Sequence, residues 1–105
     1  MEQPNLIYID QICEDDNEFK QKMITIIKKE LPLEILAYHK SMEAQNYKNA
    51  AEHVHKLKHK VSIFGLEKGY YITNEYENDL FNGIIKSPNE FESVLQVMQR
   101  FVNGL

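Results

Sequence analysis

HVHKLKHKVSIFGLEKG, residues 53 to 69, holds three of the chain's four histidines interleaved with four lysines. Its period decides the class of fold to expect. Val54, Leu57, Val61 and Phe64 recur at steps of three, four and three, the spacing of an α-helix that buries one narrow face. His55, Lys58, His59 and Ser62, at offsets of zero, three, four and seven, stack as a second ridge along the same rod. Asn46 suits the N-cap of this helix, and Gly65 can take the left-handed conformation that ends it.

Working outward, the same period continues. Upstream, Asp15 or Asp16 can cap a helix whose apolar positions are Phe19, Met23, Ile26, Ile27 and Leu31. Pro32 then interrupts a pattern that resumes as Ile35, Leu36, Tyr38 and Met42; the missing donor predicts a bend or break one turn earlier. The reading is one long, bent helix over residues 16 to 44. Downstream, a helix over residues 66 to 82 is expected to bury Leu66, Tyr70, Thr73, Tyr76 or Glu77, and Leu80, and to stop at Gly83. Gly69, early in that helix, stands where a packed aliphatic residue is expected. Ser87-Pro88-Asn89-Glu90 has the pattern of a capping box with proline at the first helical position. Phe91, Leu95, Met98, Val102 and Leu105 continue from it as an amphipathic stripe.

Leu6, Ile7, Ile9 and Ile12 suggest a short helix over one end. No Asn-Gly or Asp-Gly turn separates two alternating strands. The expected fold is therefore all-α: an antiparallel four-helix bundle with a short N-terminal accessory helix, in one domain spanning residues 1–105. The initiating Met and the capped last helix are those expected of a complete unit.

Composition excludes several classes of function. A chain of 105 residues that is 43% hydrophobic and 27% charged can build one core, and is too apolar for disorder. No apolar run approaches a membrane span, and Met1-Glu2-Gln3-Pro4 lacks the features of a signal peptide, so a cytoplasmic protein without membrane contact is expected. Cys13 is alone, which excludes an internal disulfide and a thiolate zinc site and fits a reducing compartment. A net charge of −4 repels polyanions, and nucleic acid is not an expected partner. The buried seams can all be satisfied internally, so a monomer is expected.

Three readings of the ridge stand side by side. Exposed His and Lys on an amphipathic helix are commonly its wet side, with lysine stems covering apolar surface. His55 and His59, at i and i+4, are also spaced to chelate one metal ion, with His53 or His39 as a third ligand. The four nearby lysines oppose a dication. The third reading uses imidazole as a nucleophile: an exposed ring can take a phosphoryl group, and Lys58, three residues on, carries a charge that would stabilise it. No glycine-rich phosphate loop is present, and the carboxylates of Glu14, Asp15, Asp16 and Glu18 read as a helix start. Any metal and nucleotide for such a transfer are then left to a partner.

His55-Lys56-Leu57-Lys58, followed six residues later by Gly65-Leu66, resembles the signature of histidine-containing phosphotransfer (HPt) domains. In that family the phosphorylated histidine is followed by an aliphatic residue at +2, lysine at +3 and glycine at +10. Ala50-Ala51 resembles the small residues ahead of that histidine. Tyr76-Glu77 with Gly83 resembles the family's hydrophobic-Glu pair and following glycine, and Phe19 with Glu30-Leu31-Pro32 resembles its long helix.

The resemblance implies a phosphocarrier of a multistep phosphorelay, not an autonomous kinase, with no cofactor of its own. His55 would accept the phosphoryl group on Nε2 and Lys58 would support it. The implied partners are response-regulator receiver domains, which bring the aspartate and the magnesium, and a hybrid sensor histidine kinase. Ala51, His59, Ser62 and Gly65 would form the receiver-docking surface. His59 is the departure from the family pattern, since it stands at +4, where a small residue is usual. Its bulk would narrow docking to particular receivers, or its ring would hydrogen-bond the phosphoryl group.

Overall fold

The computed structural model describes residues 2–105, and among them it contains five α-helices and no strand. They are α1 (Ile7–Cys13), α2 (Asn17–Glu43), α3 (Tyr47–Ile63), α4 (Glu67–Phe81) and α5 (Pro88–Asn103). α2 to α5 form a helical bundle in which α3 packs most extensively on α4 and then on α2, while the short α1 lies against α2. At about 1.5 Å of rise per residue, the 27 residues of α2 nearly span the longest dimension of the molecule, 43 Å.

Caps set two of these helices. The side chain of Asp16 accepts the Phe19 amide at 3.0 Å, and that of Asn46 accepts the Asn49 amide at 3.2 Å. Each satisfies an amide that the first helical turn leaves free. α3 stops where expected: Gly65 turns left-handed at φ +73° and its amide bonds the Ser62 carbonyl. The seam Val54, Leu57, Val61 and Phe64 is fully buried. It meets Leu31 and Tyr38 of α2, Thr73, Tyr76 and Leu80 of α4, and Phe91, Leu95, Met98 and Val102 of α5, all buried. Each large apolar side chain in that cluster contributes about 1.5–3 kcal/mol, which is why the period of the seam dominates the fold.

Pro32 lies inside α2 without ending it, as the reading of one long helix expects, and on the exposed side, where water can meet the carbonyl left without a donor. Other sequence expectations are corrected. The buried face of α2 is Ile24, Ile27, Leu31, Tyr38 and Ser41, so Phe19, Ile26 and Leu36 are exposed on the neighbouring arc. Tyr70 is exposed as well, and Tyr76, not Glu77, takes the core position of α4. Ser87 forms no capping box: its backbone is left-handed (φ 56°), its hydroxyl makes no cap hydrogen bond, and only its carbonyl accepts the Glu90 amide. Pro88 does occupy the start of α5, and Phe91, Leu95, Met98 and Val102 are buried as expected, while Leu105 is exposed.

The cap of α4 comes from a distant part of the chain. Leu66 precedes it and has no polar side chain, yet the Lys68 and Gly69 amides donate to the two Glu2 oxygens at 2.8 and 3.0 Å. A carboxylate there also faces the positive end of the helix dipole. The segment is tied down further by Asn5, whose amide donates to the Phe64 carbonyl at 2.9 Å. Gly69 is buried, and a Cβ on it would sit 3.2 Å from Leu66 Cβ and 3.4 Å from Val61 and Val94. Glycine lets α4 close on α3 and α5, so its place in the pattern is one of packing.

Candidate functional site

α3 and α4 share the most extensive helix–helix contact of the bundle, and the site is built on the outer lip of that contact. Tyr70, Asn74 and Glu77 recur at steps of four and three on α4, beside the buried row of Thr73, Tyr76 and Leu80. This row faces the ridge of His55 and Lys58 on α3, meeting it through Glu77 with His55 and through Glu77, Asn74 and Tyr70 with Lys58.

His55 is exposed at its ring, with 53% of the side chain open to solvent. Its Nδ1 lies 2.9 Å from Glu77 Oε2. A carboxylate only accepts, so Nδ1 carries the proton and donates it. Nε2 then holds the basic lone pair, on the edge of the ring away from Glu77. The same carboxylate takes Lys58: its Nζ lies 2.9 Å from Glu77 Oε1 and donates to Asn74 Oδ1 at 3.1 Å. That ammonium also stands 5.8 Å from the centre of the Tyr70 ring, in cation–π range. Only 13% of the Lys58 side chain is exposed. Glu77 Oε1 is enclosed and has no well-directed hydrogen bond, so the ion pair with Lys58 is what compensates it.

His59 lies one turn beyond His55 on the ridge, exposed, with its ring centre 5.0 Å from that of His55 and the two planes nearly perpendicular. Ser62 is exposed a further turn along and shares a shallow groove with Tyr8, Gly65, Leu66, Glu67 and Tyr70. Ala51 does not belong to this surface. It is buried, because α3 turns that position toward the core, and it cannot touch a partner. Gly65 borders the groove, but a Cβ there would come within 2.8 Å of the Asn5 side chain, so it is constrained from within the chain as well.

His55, Lys58, His59, Ser62 and Gly65 are thus brought to one side of α3. The third ligands considered for a metal do not join them. Among the described residues no group of three His, Cys, Asp or Glu is placed to hold a metal ion. His39 bonds instead to Glu92 of α5, Nε2 to Oε1 at 2.8 Å. Sequence reasoning missed Asn74 altogether and took Tyr70 for core. Glu77 was visible only as half of a resemblance, since nothing in the pattern says which residue of another helix a carboxylate will meet.

Beneath the site lies a buried polar contact, a hydrogen bond between the Tyr38 and Tyr76 hydroxyls. Burial, reinforced by the bond to Tyr76, pushes the Tyr38 phenol far above its ordinary range. Burial also raises Tyr76, although the Tyr38 bond opposes it. Among the described residues no helix is long and apolar enough to cross a membrane. Comparisons of the chain with protein-family models, with curated proteins and with solved structures find no match.

Proposed function

We propose that this protein is a histidine phosphocarrier of the HPt type, an antiparallel four-helix bundle that accepts a phosphoryl group on His55 and passes it to receiver aspartates. The observation that carries the reading is the grip of Glu77 on His55 Nδ1, which leaves Nε2 basic and open. In the transfer, a P–N bond forms at Nε2 as the P–O bond to the receiver's aspartyl carboxylate breaks. The electron pair of the broken bond stays with that carboxylate. His55 keeps its Nδ1 proton and becomes a phosphoryl-imidazolium, whose positive charge faces Glu77. A hydrogen bond to a charged group contributes about 1.5–3 kcal/mol, and here it strengthens as the ring charges, which favours the step.

The receiver supplies the aspartate and the magnesium, docking over His59, Ser62 and the groove beside Gly65. On this reading the carrier acts as a monomer in the cytoplasm, between a hybrid sensor kinase and its receivers. The test is incubation with a phosphorylated receiver and magnesium, read by intact mass. One acid-labile, base-stable phosphoryl adduct is expected on the wild type and none on His55→Gln. An adduct that survives that substitution, or wild-type protein that stays unmodified across a panel of receivers, refutes the assignment.

A further inference from the structure

Resting on the phosphocarrier reading, we infer that His59, and not Lys58, is the side chain of this protein that meets the phosphoryl group on His55. Three observations lead there. Lys58 is committed elsewhere: its ammonium holds Glu77 Oε1 and Asn74 Oδ1 at 2.9 and 3.1 Å and is largely covered. Swinging it out toward Nε2 would strand the enclosed Glu77 oxygen, which has no other compensating group. Its place is therefore to hold Glu77, and through Glu77 the orientation of His55.

A phosphoryl group on Nε2 grows from the opposite edge of the ring, away from Glu77. On that exposed ridge stands His59, its ring 5.0 Å from that of His55. It makes no side-chain hydrogen bond or ion pair among the described residues, so both of its ring nitrogens are free for a phosphoryl oxygen. The titratable groups bordering the ridge are His55 and Lys58 on α3, Glu67, Tyr70 and Glu77 on α4, and Tyr8 on α1. Glu77 is spent on His55 and Lys58, and Glu67, in the groove beyond Ser62, makes no ion pair with His59, so the phosphoryl dianion is the anion that His59 would answer to.

A neutral imidazole there donates one N–H to the group, and a protonated one adds charge. An opposite charge within about 4–6 Å raises a histidine pKa, so phosphorylation of His55 and protonation of His59 favour one another. Histidine at this position would then make the lifetime of the phosphorylated state a property of the carrier as well as of its receiver.

The experiment begins with wild-type protein and a phosphorylated receiver. If His55 takes no phosphoryl group, the phosphocarrier assignment fails and this inference falls with it. With the adduct in hand, NMR titration of the His59 ring before and after phosphorylation decides the inference alone. We expect its titration to move to higher pH on phosphorylation, in the wild type and in Lys58→Met alike. We expect the phosphorylated state of His59→Gln to decay several-fold faster, and His59→Lys to restore its lifetime. His59 is exposed, so these variants leave the core untouched. An unmoved His59 titration, or an unchanged lifetime in His59→Gln beside a shortened one in Lys58→Met, overturns the inference and returns the role to Lys58.

Discussion

Two histidine–carboxylate pairs cross the bundle, and they differ in the nitrogen they use. His39 of α2 is held by Glu92 of α5 through Nε2 at 2.8 Å, while His55 of α3 is held by Glu77 of α4 through Nδ1 at 2.9 Å. In the first pair the nitrogen left over is Nδ1, next to the main chain of its own helix, where a partner's phosphoryl group is hindered. In the second it is Nε2, at the tip of the ring. The carboxylates differ as well: Glu77 is shared with Lys58 and more covered, whereas Glu92 serves one histidine and is more open. A carboxylate beside an exposed imidazole does not define a site by itself. Which nitrogen it occupies, and how firmly it is held, makes the difference.

Substituting each histidine gives the widest separation. His55→Gln should lose the phosphoryl adduct completely and His39→Gln should keep it at the wild-type level, read by intact mass. Both pairs also hang from one aromatic stack: Tyr38 precedes His39, Tyr76 precedes Glu77 and Phe91 precedes Glu92. Phe91 stacks on Tyr76 at 4.9 Å and meets Tyr38 edge-on at 5.1 Å. Phe91→Ala should therefore cost about 3–5 kcal/mol of stability in chemical denaturation and blur the distinction by loosening both carboxylates.

A finer contrast comes from the carboxylates. Glu77→Gln should slow phosphoryl transfer to His55 by about ten- to hundredfold, the equivalent of one hydrogen bond to a charged group. Glu92→Gln should leave the rate unchanged; equal losses in the two would erase the distinction drawn here. Smallest is Tyr38→Phe, which frees the Tyr76 hydroxyl and should cost about 1 kcal/mol. It also has a pH signature. The folded pKa of Tyr38 is raised, so its neutral form contributes stability that is complete below the unfolded value of about 10 and is lost as pH rises past it. Thermal melts of the wild type should fall on the alkaline side more steeply than those of the variant.

The α3 seam was legible because its period, its Asn46 cap and its Gly65 stop all agree, and local chemistry decides each of them. Where one local pattern stood alone, it misled. Ser87 has the capping sequence, but an exposed connection between α4 and α5 holds it left-handed, and its hydroxyl caps nothing. Phe19 and Ile26 have helical spacing but lie off the arc that the rest of the bundle covers. The site divides in the same way. The ridge of His55, Lys58, His59 and Ser62 follows from offsets along one helix, whereas its partners Asn74 and Glu77 belong to another.

By itself, then, the sequence determined five helices, the buried seam and the side of α3 on which the imidazoles stand. Those depend on hydrogen bonds and periodicities within a few residues, which no distant part of the chain needs to supply. Only the tertiary structure decided that Glu77 reaches His55 Nδ1 and also holds Lys58, that Glu2 caps α4, and that Ala51 is core. Each of these joins groups through the distance and rotation between two elements. Packing sets both, because a carboxylate's partner is whichever donor the closing core brings within about 3 Å.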